Sequence, residues 1–317
     1  MYFEVSGVTV SPLIPFFVAF FISLLVSSAG VSGAFLLLPF QVSVLGFTSP
    51  AVSPTNLFYN IVAIPSGVYR FMRERRMAWP LAWVIIIGTL PGIFIGAVIR
   101  ILYLPDPKNF KFFAGCVLLY IALRLVHSMI KKNDLAFEKA KSVEQRFYNG
   151  EKEGESGSGT ETNPMPAVRT VKFSFTRYRY SFYGETFEFN TIGLLLLSFI
   201  VGIVGGTYGI GGGAIIAPFL VAFFGLPIYT ITGATLMSTF VTSIAGVAFY
   251  AGIAPLFAHT GLSISPDWAL GALFGAGGFL GIYCGARLQK YLPARIIKII
   301  LILTMTFIAI RYISAIF

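Results

Sequence analysis

Charge is what this sequence has least of. Only 11% of its 317 residues are charged, where a soluble domain carries about 25%. The thirteen carboxylates are Glu4, Glu74, Asp106, Asp267 and nine between positions 134 and 188, and none falls in the interior of an apolar run. That absence argues against a proton relay built on intramembrane acids, a cation site made of carboxylates, and hydrolysis by a positioned base. Histidine is as scarce: His127 and His259 stand at segment ends, where they are poor relays. No His/Cys/Asp cluster offers metal ligands, and no cofactor is expected. The two cysteines, Cys116 and Cys284, lie inside apolar segments at positions that do not correspond. They read as small core hydrophobes rather than as a disulfide or a metal pair.

What the chain does have is hydrophobicity, at 56% of its residues. Apolar runs close to the length of a membrane span recur throughout, which predicts an all-α polytopic membrane protein. Ten such segments are expected: 12–29, 33–48, 51–69, 79–103 and 110–130, then 191–206, 212–225, 229–252, 267–287 and 295–316. The opening Met1-Tyr2-Phe3-Glu4 lacks a basic n-region, so the first run is expected to remain as a span. The segments at 33–48 and 212–225 fall short of the roughly 20 residues of a full span. They are expected to be re-entrant or broken helices, whose bare backbone must be buried or line a cavity.

The sequence says nearly the same thing twice. Ser32-Gly33-Ala34-Phe35-Leu36-Leu37-Leu38-Pro39-Phe40 returns as Gly211-Gly212-Gly213-Ala214-Ile215-Ile216-Ala217-Pro218-Phe219. Gly30 falls on Gly209 and Gly46 on Gly225 at the same offset, and Ala-Leu-Arg at 122–124 returns as Ala-Ile-Arg at 309–311. Internal duplication in an apolar chain is the usual build of a secondary transporter, with its site where the copies meet. The expected organisation is a first transmembrane repeat at 1–130, a linker at 131–190 and a second repeat at 191–317. Within the linker, Asn149 to Pro166 is charged and Gly/Ser-rich, as flexible linkers are. Residues 168–190 alternate polar with aromatic or β-branched side chains and predict a β-hairpin turning near Gly184.

The net charge of +10 sits in loops, as positive-inside topology requires, so nucleic acid is not the expected partner. Arg70, Arg73, Arg75 and Arg76 crowd one loop, and ten Lys or Arg lie in 131–190, which puts both regions in the cytoplasm. The loop at 253–266, equivalent to the arginine cluster, has no Lys or Arg. Five segments per half with opposite bias at matching loops predict two inverted repeats, with both termini outside.

The candidate site follows from the repeated glycines. Gly30, Ser32 and Gly33, and Gly209, Gly211, Gly212 and Gly213, each precede a short helix whose free N–H groups suit an anion. The competing explanation is close helix packing through small residues. Thr55-Asn56-Leu57 and Ala234-Thr235-Leu236 form a second repeated element. Ser28, Asn60, Thr207, Tyr208, Ser238 and Thr239 are further candidates to complete an uncharged oxyanion cage, against a background of N-capping and interhelical bonding. Of the 23 Lys and Arg, Arg124 and Arg311 are taken as the two within spans, at matching positions, either contacting an anion or snorkelling to an interface.

These residues carry a resemblance. The runs at 30–40 and 209–219, each followed by a glycine and then by the elements at 54–57 and 233–236, resemble the sulfite exporter TauE/SafE family, also called the 4-toluene sulfonate uptake permease family. Ser32 and Ala34 stand where the second copy has glycine. The resemblance covers both halves but not 131–190. It implies transport, as an exporter, of small sulfur-containing or organic anions such as sulfite, sulfoacetate or other sulfonates across the plasma membrane, with the lipid bilayer and a second copy of the chain as further partners. The mechanism expected is alternating access. An anion channel of the same build and an intramembrane lipid-phosphate enzyme are the rivals, and the enzyme lacks its acids.

Overall fold

The computed structural model describes all residues except 28–30, 131–138, 141, 144, 146–167, 175, 183, 289–293 and 315–317. The expectations for Ser28, Gly30 and the stretch Asn149 to Pro166 therefore lie outside the described residues. A short hairpin opens the chain, β1 (Tyr2–Phe3) and β2 (Val8–Thr9). Five helices follow: α1 (Leu13–Ser27), α2 (Ala34–Ser43), α3 (Val52–Arg73), α4 (Trp79–Leu102) and α5 (Pro107–Ile130). Then come β3 (Arg169–Phe173), β4 (Arg177–Phe182) and β5 (Glu185–Asn190). The chain continues with α6 (Thr191–Tyr208), α7 (Gly212–Phe224), α8 (Ile228–Ile253), α9 (Trp268–Leu288) and α10 (Ala294–Ser314). Each of the ten expected segments falls on one of these ten helices.

Two helices start where a side chain satisfies a first-turn N–H group. Asn190 caps α6 by accepting from the Gly193 N–H at 3.1 Å. Asp267 caps α9 by accepting from the Leu270 N–H at 3.0 Å, and its other oxygen accepts from the Ser6 N–H, pinning the opening hairpin to that helix. Among the described residues, five helices, α4, α5, α6, α8 and α9, are long and apolar enough to cross a membrane. At 22 residues α3 is long enough, but its buried face carries Ser53, Thr55, Asn56, Asn60 and Ser66. The short elements are α2, with 10 residues, and α7, with 13. At 1.5 Å per residue they span about 15–20 Å of a hydrocarbon core about 30 Å thick. Neither could cross alone.

The principal pairings are α4 with α6, α1 with α9, α3 with α9, α5 with α10, α3 with α8 and α4 with α8. The set is unchanged when α1 to α5 are exchanged for α6 to α10. Two glycine ladders explain the closest pairs. On α4, Gly92 and Gly96 lie against the backbone of α6 at Phe199 and Ile203, and Gly202 and Gly206 of α6 lie against Thr89 and Ile93 in return. On α9, Gly277, Gly281 and Gly285 lie against the α1 carbonyls of Phe16, Phe20 and Leu24. Glycine every fourth residue lines one helix face, and its missing side chain lets backbones touch.

The three strands form an antiparallel sheet in the order β3–β4–β5, one strand more than a hairpin, with Gly184 at φ +78° in the β4–β5 turn. Tyr180 on β4 exchanges a 2.9 Å hydrogen bond with Thr230 in the first turn of α8, and Phe189 meets the Phe224 ring edge-on. Burial pushes the Tyr180 phenol up from its ordinary pKa. The arginine loop joins the same contact: Arg76, paired with Glu74 at 2.9 Å, donates to the Tyr229 carbonyl. On the exposed face Arg179 and Arg177 both pair with Glu188, and the hydrogen bond from Arg179 is the main cause holding that carboxyl below its usual range.

The ladders make a direct prediction. Gly206→Leu places a side chain against the Ile93 carbonyl of α4, and overpacking of this kind costs about 1–3 kcal/mol. The thermal midpoint of the detergent-purified protein is expected to fall by several degrees. Gly252→Ala, where an added Cβ meets nothing within 4 Å, is expected to leave it unchanged or raise it.

Candidate functional site

The two Gly-rich turns lie in the middle of the bundle, and α3 holds both. Asn56 donates to the Ala34 carbonyl of α2 at 2.9 Å and to the Gly209 carbonyl of the α6–α7 turn at 3.0 Å. Its own oxygen accepts from Gln41 at 3.1 Å. One turn further along α3, Asn60 donates to the Ile210 carbonyl at 3.1 Å and to the Ser243 hydroxyl of α8 at 3.2 Å. The Asn60 oxygen accepts from the Ser32 hydroxyl, and Ser32 in turn accepts from the Ala34 N–H at 3.2 Å. Two carboxamides thus satisfy carbonyls of both turns. All of these side chains are buried.

The second turn is the sharper. Gly209 ends α6 at φ +82°, with its N–H on the Gly205 carbonyl. Gly211 begins α7 at φ +79° and ψ 149° with no side-chain cap. Only glycine takes both conformations without strain. Gly212 sits against Thr89 of α4, and Gly213 against the backbone of Thr235 and Thr239 on α8. The first turn is quieter: Gly33 has helical φ and ψ and lies under the hydroxyls of Tyr59 and Ser23, which share a 2.6 Å hydrogen bond.

The structure therefore brings together Ser32, Gly33, Asn56, Asn60, Gly209, Gly211, Gly212, Gly213, Thr235 and Thr239. It takes other expected residues elsewhere. Thr55 donates to the Ala51 carbonyl and accepts from the Asp267 N–H, so it anchors the start of α9. Thr207 donates to Gly96 of α4 and to Ile203. Thr239 donates to the Thr235 carbonyl at 2.8 Å, and both amide hydrogens of Asn56 and of Asn60 are engaged. Most of the expected donors are thus occupied in this conformer. The Ser238 and Tyr208 hydroxyls are buried without a partner among the described residues. Tyr208, just before the turn, stacks on Phe35 of α2 at 6.2 Å between ring centres.

The two arginines expected within spans stand apart from the turns. Arg124 is half-buried with its guanidinium 4.2 Å over the Phe223 ring, and Arg311 is exposed; neither is bonded to the turns. Arg100, which is not among the arginines expected within spans, belongs to α4 and is fully buried. The signal was its place four residues before Leu104-Pro105, inside the 79–103 segment. A basic residue so near a segment end reads as interfacial, and only the packing of α5 across it shows otherwise.

A bundle of apolar helices closed around two interrupted ones defines a polytopic membrane protein. The family model of the sulfite exporter TauE/SafE matches residues 15–312, and the chain belongs to that family of membrane transporters. No curated protein and no solved structure matches it.

Asn56→Leu strands the Gly209 carbonyl and the Gln41 amide. Each buried group left without a partner costs about 1–3 kcal/mol. The variant is expected to lose several degrees in thermal midpoint, while Ser314→Ala, at an exposed site, leaves the midpoint unchanged. An unaltered midpoint in Asn56→Leu would show that water replaces the carboxamide.

Proposed function

We propose that this chain is a secondary transporter, working as an exporter, for small sulfur-containing or organic anions such as sulfite, sulfoacetate and other sulfonates. The observation that carries the reading is the pairing of the two Gly-rich turns by Asn56 and Asn60 in a buried centre. No residue of the turns is acidic, and among the described residues no acidic side chain is bonded to them. The turns open α2 and α7, whose N-termini carry a positive dipole end; the first N–H groups of α2 are taken by Ser32 and Gly33, while α7 begins without a side-chain cap. Half-helix ends at membrane depth are how transporters hold anionic groups. The family described as sulfite exporters supplies the substrate class.

The transport cycle is alternating access, with the helices of one half rocking against those of the other around the turns. The exchange of α1 to α5 for α6 to α10 that leaves the pairings unchanged supports two repeats, and the loop charges support their being inverted. On the same charges, 131–190 and the sheet lie in the cytoplasm and both termini outside, in a plasma membrane.

Proteoliposomes loaded with sulfite test this. Saturable efflux is expected, slowed by competing sulfoacetate, and lost in Gly212→Val, whose Cβ would stand 2.5 Å from Thr89. Absence of flux for every sulfur oxyanion and sulfonate would overturn the substrate class, and large unitary currents would make the protein a channel. Full efflux in a correctly inserted Gly212→Val would remove the second turn from the site.

A further inference from the structure

Arg100 ends α4 with its side chain wholly enclosed. One corner of the guanidinium, Nη1, donates to the carbonyl of Leu104, a turn ahead. One face is covered: its carbon lies 3.9 Å over the centre of the Phe110 ring of α5. Phe110 stands 6.3 Å from the ring of Tyr208, the residue that leads into Gly209, and Tyr208 stacks on Phe35 of α2. The stack thus runs from the guanidinium to the starts of both short helices. Around it, Thr207 donates to Gly96, one turn before Arg100, and Tyr250 of α8 donates to Gly206 and is close enough to interact electrostatically with Arg100.

What remains of the guanidinium is its other edge. Nε and Nη2 are both buried with no hydrogen-bond partner among the described residues. These two atoms carry the parallel N–H pair of the arginine fork, the edge that grips two oxygens of one anion at once. Asp106, the nearest acid in sequence, is exposed, and its Oδ1 accepts from the N–H groups of Lys108 and Asn109. A cation enclosed without a counter-charge is strongly disfavoured, more so inside a membrane. Helix capping through Leu104 uses Nη1 alone and leaves the enclosed fork without a purpose.

We propose that Arg100 is the fixed cation of the anion site, taking two oxygens of the substrate on its Nε and Nη2 edge beside the Tyr208–Gly209 turn. The proposal rests on the anion-transport reading above and narrows it. The substrate is an oxyanion that presents two oxygens in one plane with the fork, as sulfite, a sulfonate or a carboxylate does. Selectivity against chloride, a single atom that cannot offer the fork two separate oxygens, comes from that edge. Because the edge is buried, the anion there is out of contact with both aqueous sides, as an ion in mid-transport must be.

The experiment is equilibrium binding of sulfite, sulfoacetate, acetate and chloride to the purified full chain, for wild type, Arg100→Lys and Arg100→Gln. Lysine keeps the charge and loses the fork. Arg100→Lys is expected to bind sulfite at least tenfold more weakly and to discriminate less between sulfite and chloride, and Arg100→Gln to bind neither sulfur anion. Sulfite binding by a folded Arg100→Lys that equals wild type in both strength and selectivity overturns the assignment and leaves the transport reading standing. Wild type that binds acetate with the same dependence on Arg100, but no sulfur anion, overturns the substrate class and leaves the assignment. If neither variant folds, 15N-arginine spectra of the wild-type protein decide: one slowly exchanging Nε–H resonance should shift saturably with sulfite, and no such shift overturns the proposal.

Discussion

An interrupted helix inside a bilayer leaves main-chain carbonyls facing hydrocarbon, with no water to take them up. Everything at the centre of this protein answers that constraint. The interruption before α7 leaves the carbonyls of Gly209 and Ile210 outside any helix, and the carboxamides of Asn56 and Asn60 take both, with Asn56 also reaching the Ala34 carbonyl at the start of α2. Because the partners belong to both turns, satisfying the backbone also fixes the turns next to each other. That requirement explains why α3 is the least apolar of the long helices: its polar side chains face inward, toward backbone that needs them.

Around this centre the packing depends on backbone contact rather than on side-chain bulk. Lipid tails are as apolar as leucine, so helices in a membrane gain little by hiding leucine from them. The α4–α6 and α1–α9 pairs instead remove the side chain every fourth residue and bring carbonyls against glycine. The threonines and serines between them return their hydroxyls to carbonyls of the preceding turn, as Thr89 and Ser198 do. The sheet at 169–190 is held differently, by aromatic stacking and by the Tyr180–Thr230 contact, outside the apolar helices.

The architecture was largely legible in the sequence. Run lengths located ten helices, and shortness marked α2 and α7, because the bilayer sets a length that periodicity alone does not. The glycine turn at 209–213 was legible because positive φ leaves few other residues. The roles of the polar residues were not. Thr55 and Asn56 are neighbours in sequence, yet a helix turns 100° between them, sending one to Asp267 of α9 and the other to the turns. The ladders at 88–96 and 277–285 were missed because they recur at a different offset from the repeat that dominates the sequence. Arg100 was missed because enclosure at a helix end depends on α5 folding back across it.

At the shared offset, Ser32 faces Gly211, Asn56 faces Thr235 and Asn60 faces Thr239. Among the described residues, the carboxamides at the centre come from the first half, and the second half supplies Gly209 and Gly211 at positive φ. Each half therefore holds what the other lacks. Two first copies would have clamps with no matching open turn, and two second copies would have open turns and nothing to close them. The two halves thus share the packing of their helices but not the chemistry at their centre, and neither could be replaced by a second copy of the other.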